Sequence, residues 1–463
     1  MSYLFIIALA INFANTGSSC VFERCRCINN SDETIDIRCI PDLDRFNSGF
    51  PNRLANQSKP INVFLINKYS IGKIPDQAFR HLDIKYLIIG QNNLKILTKG
   101  AFEGAESISM LHLIENNLEE VEPGSLKALH ESLTEFGLTN TNISLLNKIN
   151  IELRQLKNLR TLKLNNLRLD KFEPNWTESL ESLSYLSLAS NRLSLLDSNV
   201  FSSKLISIDL SQNFVSNVTN LLSAIESGEN LKELKLKKNQ IKNLTSLSKL
   251  SNLEYLDLSS NEISILSKNM FRNLTKLTHL YLTSNRIKNL DQNLFLEMKD
   301  LMVLLLNNNF LVNHPNISTL MRLKILDLSS QHGNLVKIGE YAFERKYDFG
   351  NLLTLYLNLN EIKFEPKSFC SRQSTESRIG TLDLSLSTLN GMDMCIFRQF
   401  KSSRSAKMII KIDQEKSKIE EASKCNCQIW KAANFFEIGI YGLPNCNQTV
   451  CDGVYFEEKY MVT

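Results

Sequence analysis

The residues whose type and spacing first suggest chemistry are ten cysteines in three groups. Cys20, Cys25, Cys27 and Cys39 follow C-x4-C-x-C-x11-C. Cys425, Cys427, Cys446 and Cys451 follow C-x-C-x18-C-x4-C, with Trp430 close behind Cys427. Cys370 and Cys395 stand apart. An even number in tight clusters reads as disulfide chemistry in an oxidising compartment. Zinc thiolate sites are the alternative for the C-x-C groups, but they are uncommon in exported chains. The remaining reactive side chains assemble nothing comparable. His81, His112, His130, His279, His314 and His332 are scattered, and there is no phosphate loop, nucleophile motif or H-E-x-x-H spacing. His279 falls near Asp257, yet a lone His–Asp neighbour is more often a surface pair. The expectation is therefore a protein that is not an enzyme, with no metal site and no cofactor. A net charge of +4 on 463 residues gives no reason to expect nucleic acid.

The elements that must position these residues are written as a repeat. The pattern L-x-x-L-x-L-x-x-N-x-[LI] returns about every 22 to 26 residues, as in Leu253, Leu256, Leu258, Asn261 and Ile263. Coils begin at Ile61, Ile84, Ile108, Leu133, Leu159, Leu183, Leu205, Leu231, Leu253, Leu277, Leu301, Leu323, Leu352 and Ile379. A short strand near 408–412 finishes the stack. This predicts an α/β repeat solenoid of about fourteen coils with one parallel sheet along its concave side. Alternation sends Leu256 and Leu258 inward and Tyr255, Asp257 and Ser259 outward. The ninth-position Asn, as in Asn191, Asn213, Asn239 and Asn261, carries the donors and the acceptor that a tight buried turn needs. Leu or Ile followed by Phe fills the far side, as in Ile74 with Phe79 or Leu266 with Phe271. Thr141, Leu167 and Ser387 replace the Asn; hydroxyls substitute in part and Leu does not. Gln331–Asn334 reads as an insertion bulging from the edge.

Residues 3–14 are apolar, and Asn15–Ser19 is small and polar, the layout of a secretory signal cleaved near residues 17–19. No run of about 18 apolar residues follows, so the expectation is a secreted chain, or a cell-surface ectodomain if the chain is a fragment. Sequons at Asn29, Asn56, Asn142, Asn175, Asn217, Asn243, Asn273, Asn316 and Asn447 become glycosylation candidates in that compartment. The organisation expected is a signal at 1–19, a cysteine-rich cap at 20–60, a repeat array at 61–400 and a C-terminal strand and cap at 401–463.

The consensus coil together with the two cysteine spacings resembles the extracellular leucine-rich repeat family across about residues 20–463. The resemblance implies a horseshoe with disulfide-rich caps over both bare ends of the stack. In that setting Cys370 and Cys395, near the Phe slots of successive coils, suit an inter-coil disulfide. The stretch Ala101–Ser144 is similar to arthropod non-catalytic, leucine-rich subunits of oplophorus-luciferin 2-monooxygenase, which implies a scaffold or accessory subunit. The C-terminal cap departs from that family's usual ending.

Strand positions three, five and seven face outward and supply the candidate binding residues. Early coils give an apolar set, Val63, Leu65, Tyr86, Ile88, Met110, His112 and Ile114, that either contacts a partner or is covered by the cap or a second subunit. Later coils mix aromatic and charged groups: Glu233, Lys235, Tyr255, Asp257, His279, Tyr281, Val303, Leu305, Ile325, Asp327 and Tyr356. Tyrosines with flanking charge suit protein recognition. Lys235, Lys237 and Lys238, beside Asp209, Glu233 and Asp257, read as a self-neutralised surface. The function expected is recognition of a protein ligand on the concave face. The alternatives are a receptor ectodomain, a homodimer, or the accessory subunit of a secreted oxygenase.

Overall fold

The computed structural model describes residues 20, 22, 25–40, 49–51, 58–141, 146–332, 335–344, 353–370, 372, 379–384, 387, 409–411 and 439–441. The signal segment, Asn56, Asn142, Asn447, Cys395 and the four C-terminal cysteines lie outside them, as does the side chain of Asn175. Contacts group into two compact units, Met1–Asn191 and Arg192–Thr463. Every one of the predicted coil starts is followed by a strand, and the leucines at the inward positions are buried.

In the first unit, Cys25–Asn29 pairs antiparallel with Ile35–Cys39, which pairs parallel with Ile61–Asn67. Parallel strands Ile84–Gly90, Met110–Ile114, Glu135–Thr139, Thr161–Asn165 and Tyr185–Ser187 follow in register. The opening hairpin closes the sheet edge that would otherwise be bare. Its disulfides join Cys20 to Cys27 and Cys25 to Cys39, a connectivity that spacing left open. Behind the strands, Phe79 stacks on Phe102 with ring centroids 6.0 Å apart, and its ring edge meets Phe64 at 5.9 Å.

The second unit runs from Ser207–Asp209 through Glu233–Lys235, Tyr255–Asp257, His279–Tyr281, Val303–Leu305, Ile325–Asp327, Leu353–Tyr356 and Ile379–Asp383, all parallel. Ile409–Lys411 and Gly439–Tyr441 extend it, the first as predicted and the second unpredicted. Cys370 is disulfide-bonded.

The ninth-position Asn acts as an amide bridge between successive coils. Asn285 donates to Leu258 O at 2.9 Å and Leu282 O at 3.1 Å, and accepts from Ile263 N at 3.0 Å. Asn116, Asn191, Asn239, Asn261, Asn309 and Asn360 repeat the arrangement. The residue before it adopts the left-handed conformation, as at Gln91, Glu115, Ser190, Gln212, Ser260, Ser284 and Asn308. That turn points backbone groups inward, where only the amide reaches them.

Several ladder positions depart from Asn, among them Thr141, whose hydroxyl donates within its own coil to Thr139 O, Leu167, which offers no polar side-chain group, Ser387 and Gln331. Ser387 substitutes as expected, donating to Leu357 O and accepting from Asn360 N. Gln331 corrects the expectation of a bulge starting there. It is 3% exposed, donates to Leu306 O and Leu328 O, and accepts from Leu311 N. A glutamine amide has the same donors and acceptor one methylene further out.

Replacing Asn285 with Ala strands the three backbone groups it serves. We expect a loss of about 2–4 kcal/mol in urea unfolding followed by circular dichroism, against about 0.5 kcal/mol or less for Asn289→Ala on the exposed flank of the next turn.

Candidate binding faces of the sheets

The outward columns follow from strand register. In the first unit one column runs Val63, Tyr86, Met110, Glu135, Thr161 and Tyr185. The next runs Leu65, Ile88, His112, Gly137, Lys163 and Ser187. The predicted apolar surface is largely closed. Leu65, Ile88 and His112 are buried, and Val63, Tyr86, Met110 and Ile114 are half-buried. Strands of five to seven residues align bulky groups column by column, and at strand spacing they cover one another. The Lys85 ammonium lies 4.9 Å from the Tyr86 ring centroid.

Two coils further on is a cluster of which the sequence reading named only His112. The His112 Nε2 group donates to Glu135 Oε1 at 2.8 Å, and Lys163 Nζ reaches the same oxygen at 2.6 Å. Burial pushes the Glu135 carboxyl up, but the hydrogen bonds from His112 and Lys163 outweigh it and hold the group at about 2. Gly137 makes room for the ring, since a Cβ there would lie 2.6 Å from His112 Cδ2. Glu135, Gly137 and Lys163 occupy the same two columns as the named residues, so continuing the position count through these coils would have found them.

In the second unit the columns are Ser207, Glu233, Tyr255, His279, Val303, Ile325, Thr354 and Thr381, and Asp209, Lys235, Asp257, Tyr281, Leu305, Asp327, Tyr356 and Asp383. Register brings Lys235, Tyr255, Asp257, His279, Tyr281, Leu305, Ile325 and Tyr356 onto one face, as the sequence predicted. All are half-buried except Asp257, which is 9% exposed.

The aromatic groups form a packed cluster. Tyr255 meets Tyr281 edge-on at 5.1 Å and stacks with His279 at 5.9 Å. Burial, then the charge of Asp257, raises the phenols of Tyr255 and Tyr281. Burial lowers His279, which keeps the imidazole neutral at neutral pH, and Thr278 Oγ1 holds its Nδ1 at 2.8 Å. Lys235 pairs with Glu233 at 2.8 Å and lies 5.6 Å over the Tyr255 ring, so this lysine of the basic patch is paired on the chain itself.

The aspartates share a device that the sequence reading missed. Oδ1 of Asp209, Asp257 and Asp327 accepts the N–H of the serine two residues on, each at 2.9 Å. The repeated D-L-S triplet carries it. The bond fixes the turn that follows the strand; strands with no Asp in this column, such as His279–Tyr281 and Val303–Leu305, stop at the same position. No coil of the first unit has Asp in this column, and five of its strands run on for five to seven residues.

A leucine rich repeat family model matches residues 229–287, and a model of the BspA type leucine rich repeat region (6 copies) matches residues 56–150. The chain is 30% identical over 210 residues to lumican of Mus musculus, covering 44% of this chain and 59% of that protein. It is 29% identical to lumican of Bos taurus over 44% of this chain and 51% of that one. The chain thus spans little more than half the length of the curated relatives it matches. Among solved structures, a TLR13–ssRNA13 complex superposes with a TM-score of 0.57 at 20% identity, over 76% of this chain and 50% of that one. At that identity the likeness concerns the fold alone.

The Glu135 cluster gives a signed pH dependence. A carboxyl held at about 2 when folded, against an ordinary 4.5, stabilises fully above about pH 4.5 and loses that contribution as pH falls towards 2. Allowing for the solvent that reaches it, we expect wild type to lose about 1–2 kcal/mol relative to Glu135→Gln across that window in parallel urea titrations.

Proposed function

Because the chain is a leucine-rich repeat protein, we propose that it is an exported, non-enzymatic recognition scaffold that holds a protein partner on the exposed sheet face of its second unit. The observation that carries this reading is the aromatic cluster of Tyr255, His279 and Tyr281, continued by Val303, Leu305, Ile325 and Tyr356 along the same columns. These side chains are half-buried in the free protein. Their rotamers are therefore already restricted, and a partner binds with little further ordering cost. Tyrosines with one apolar face and one polar tip are the side chains that dominate such contacts.

Export is supported by the disulfides of the opening cap and by where the sequons fall. Asn29, Asn217, Asn243 and Asn273 are all exposed, as glycan acceptors must be. Among the described residues, no helix is long and apolar enough to cross a membrane. The first unit's face serves stability more than recognition in this reading, since its apolar columns are closed and its charged cluster is internally paired.

The test is comparative capture. Wild type and the triple variant Tyr255→Ala/Tyr281→Ala/Tyr356→Ala are immobilised, exposed to extracellular fluid from the source tissue and compared by quantitative mass spectrometry, with circular dichroism as the check on folding. We expect proteins retained by wild type to fall roughly tenfold or more on the folded variant. Equal retention on both would place recognition elsewhere.

A further inference from the structure

Asp257 is 9% exposed, and one of its oxygens serves the backbone of Ser259. Its register neighbour Lys235 turns instead to Glu233, and no cation among the described residues pairs with the Asp257 carboxylate. Tyr281 is the other register neighbour of Asp257, whose charge acts on the phenols of Tyr255 and Tyr281, and these pack with His279 in one aromatic cluster. Aromatic rings and an uncompensated carboxylate are complementary to an ammonium or guanidinium group. The same chemistry recurs at Asp327, whose carboxylate accepts, among the described residues, from Ser329 alone and lies in register with Tyr356. From Tyr255 to Tyr356 the described outward columns carry carboxylates and no lysine or arginine.

Resting on the recognition reading above, we propose that this face binds an extended segment of a partner protein through its lysine or arginine side chains, one seated against Asp257 and a second against Asp327. The two aspartates lie three strand steps apart, about 14 Å. An extended chain rises about 3.3 Å per residue, so basic residues four apart span that distance and point to the same side. Leu305, between the two sites, receives the apolar stems. A phosphate backbone is excluded by charge. Burial and, to a lesser degree, the nearby Asp383 raise the Asp327 carboxyl, against hydrogen bonds from Ser329 that lower it.

The experiment titrates the full chain with a fluorescent peptide of about ten residues carrying two lysines four apart in a serine–leucine background. Its glutamine and glutamate analogues are the controls. Asp257→Asn and Asp327→Asn keep the Oδ1 acceptor for the serine N–H and remove only the charge. We expect saturable binding of the lysine peptide alone, weakened roughly tenfold by each substitution and by raised salt. Equal binding of the glutamine peptide, or unchanged affinity in both variants, overturns the proposal. If tyrosine-dependent capture persists while the lysine peptide fails to bind, the recognition reading stands and this inference falls. If the lysine peptide binds and responds to both Asn variants while capture is independent of the tyrosines, the cation sites stand and the wider reading falls.

Discussion

The structure depends on a buried amide that recurs in most of its coils. Each turn of the chain must reverse direction inside the stack, and the reversal aims backbone N–H and carbonyl groups at a dry interior. An unpaired group of that kind costs about 1–3 kcal/mol, so a stack of many coils cannot leave one open at every step. The asparagine at the ninth position closes them with a single side chain. It bonds two carbonyls, one from its own coil and one from the coil before, and accepts an N–H of the preceding coil. The left-handed residue in front of it is part of the same solution. That residue bends the backbone so that the amide points inward, and Ser, Gln and Asn bear the conformation without a glycine. Coil length, strand register and the straightness of the outward columns all follow from this fixed link.

Once register is fixed, chemistry at the surface is decided by where each strand stops. In the first unit the strands run long, bulky residues fill adjacent columns, and the face closes on itself. In the second unit most strands stop after three residues, and at Asp209, Asp257 and Asp327 a D-L-S triplet fixes the turn that follows. The aspartate therefore does two things with its two oxygens. One holds that turn, and the other carries a charge on the exposed side. The face is thereby set with carboxylates at intervals determined by coil spacing rather than by flexible loops.

Much of this was legible in the residues. The leucine period placed the parallel strand of each coil from Ile61 to Ile379 but not the short paired strands such as Ile265–Leu266 and Asn289–Leu290, the Asn and Phe positions landed in the core, and the second unit's listed residues fall in the outward columns. The failures have specific physical causes. Gln331 was read as the start of a bulge because the pattern admitted only Asn, although its amide presents the same groups. The apolar surface around Ile88 and His112 was overestimated because alternation says which way a side chain points and nothing about how well its neighbours cover it. Glu135 and Lys163 went unnamed because a shared carboxylate oxygen arises only when three consecutive coils come into register. The pairing within the first cysteine group was open for the same reason: spacing constrains reach, and the hairpin of Cys25–Asn29 with Ile35–Cys39 decides which sulfurs meet.

The two charged clusters differ in how their carboxylates are matched. Around Glu135 the carboxylate is matched on the chain: an imidazole N–H and the Lys163 ammonium converge on one oxygen, and a glycine clears space for the ring. Such a site has no residual demand for an outside group and contributes to the fold. Around Asp257 burial is deeper, yet the counter-charge is missing and the neighbours are rings. Burying a carboxylate without a cation is unfavourable. The backbone N–H of Ser259 offsets part of that cost, and the hydrogen-bonded stack, which spans many coils, can carry the rest. A compact domain of a few dozen residues would lose a large fraction of its stability to the same arrangement, whereas a solenoid distributes it along the amide ladder. The capacity to hold an unsatisfied charge in a fixed place is therefore a property of the array, and it is the feature on which the proposed selection of a partner by charge rests.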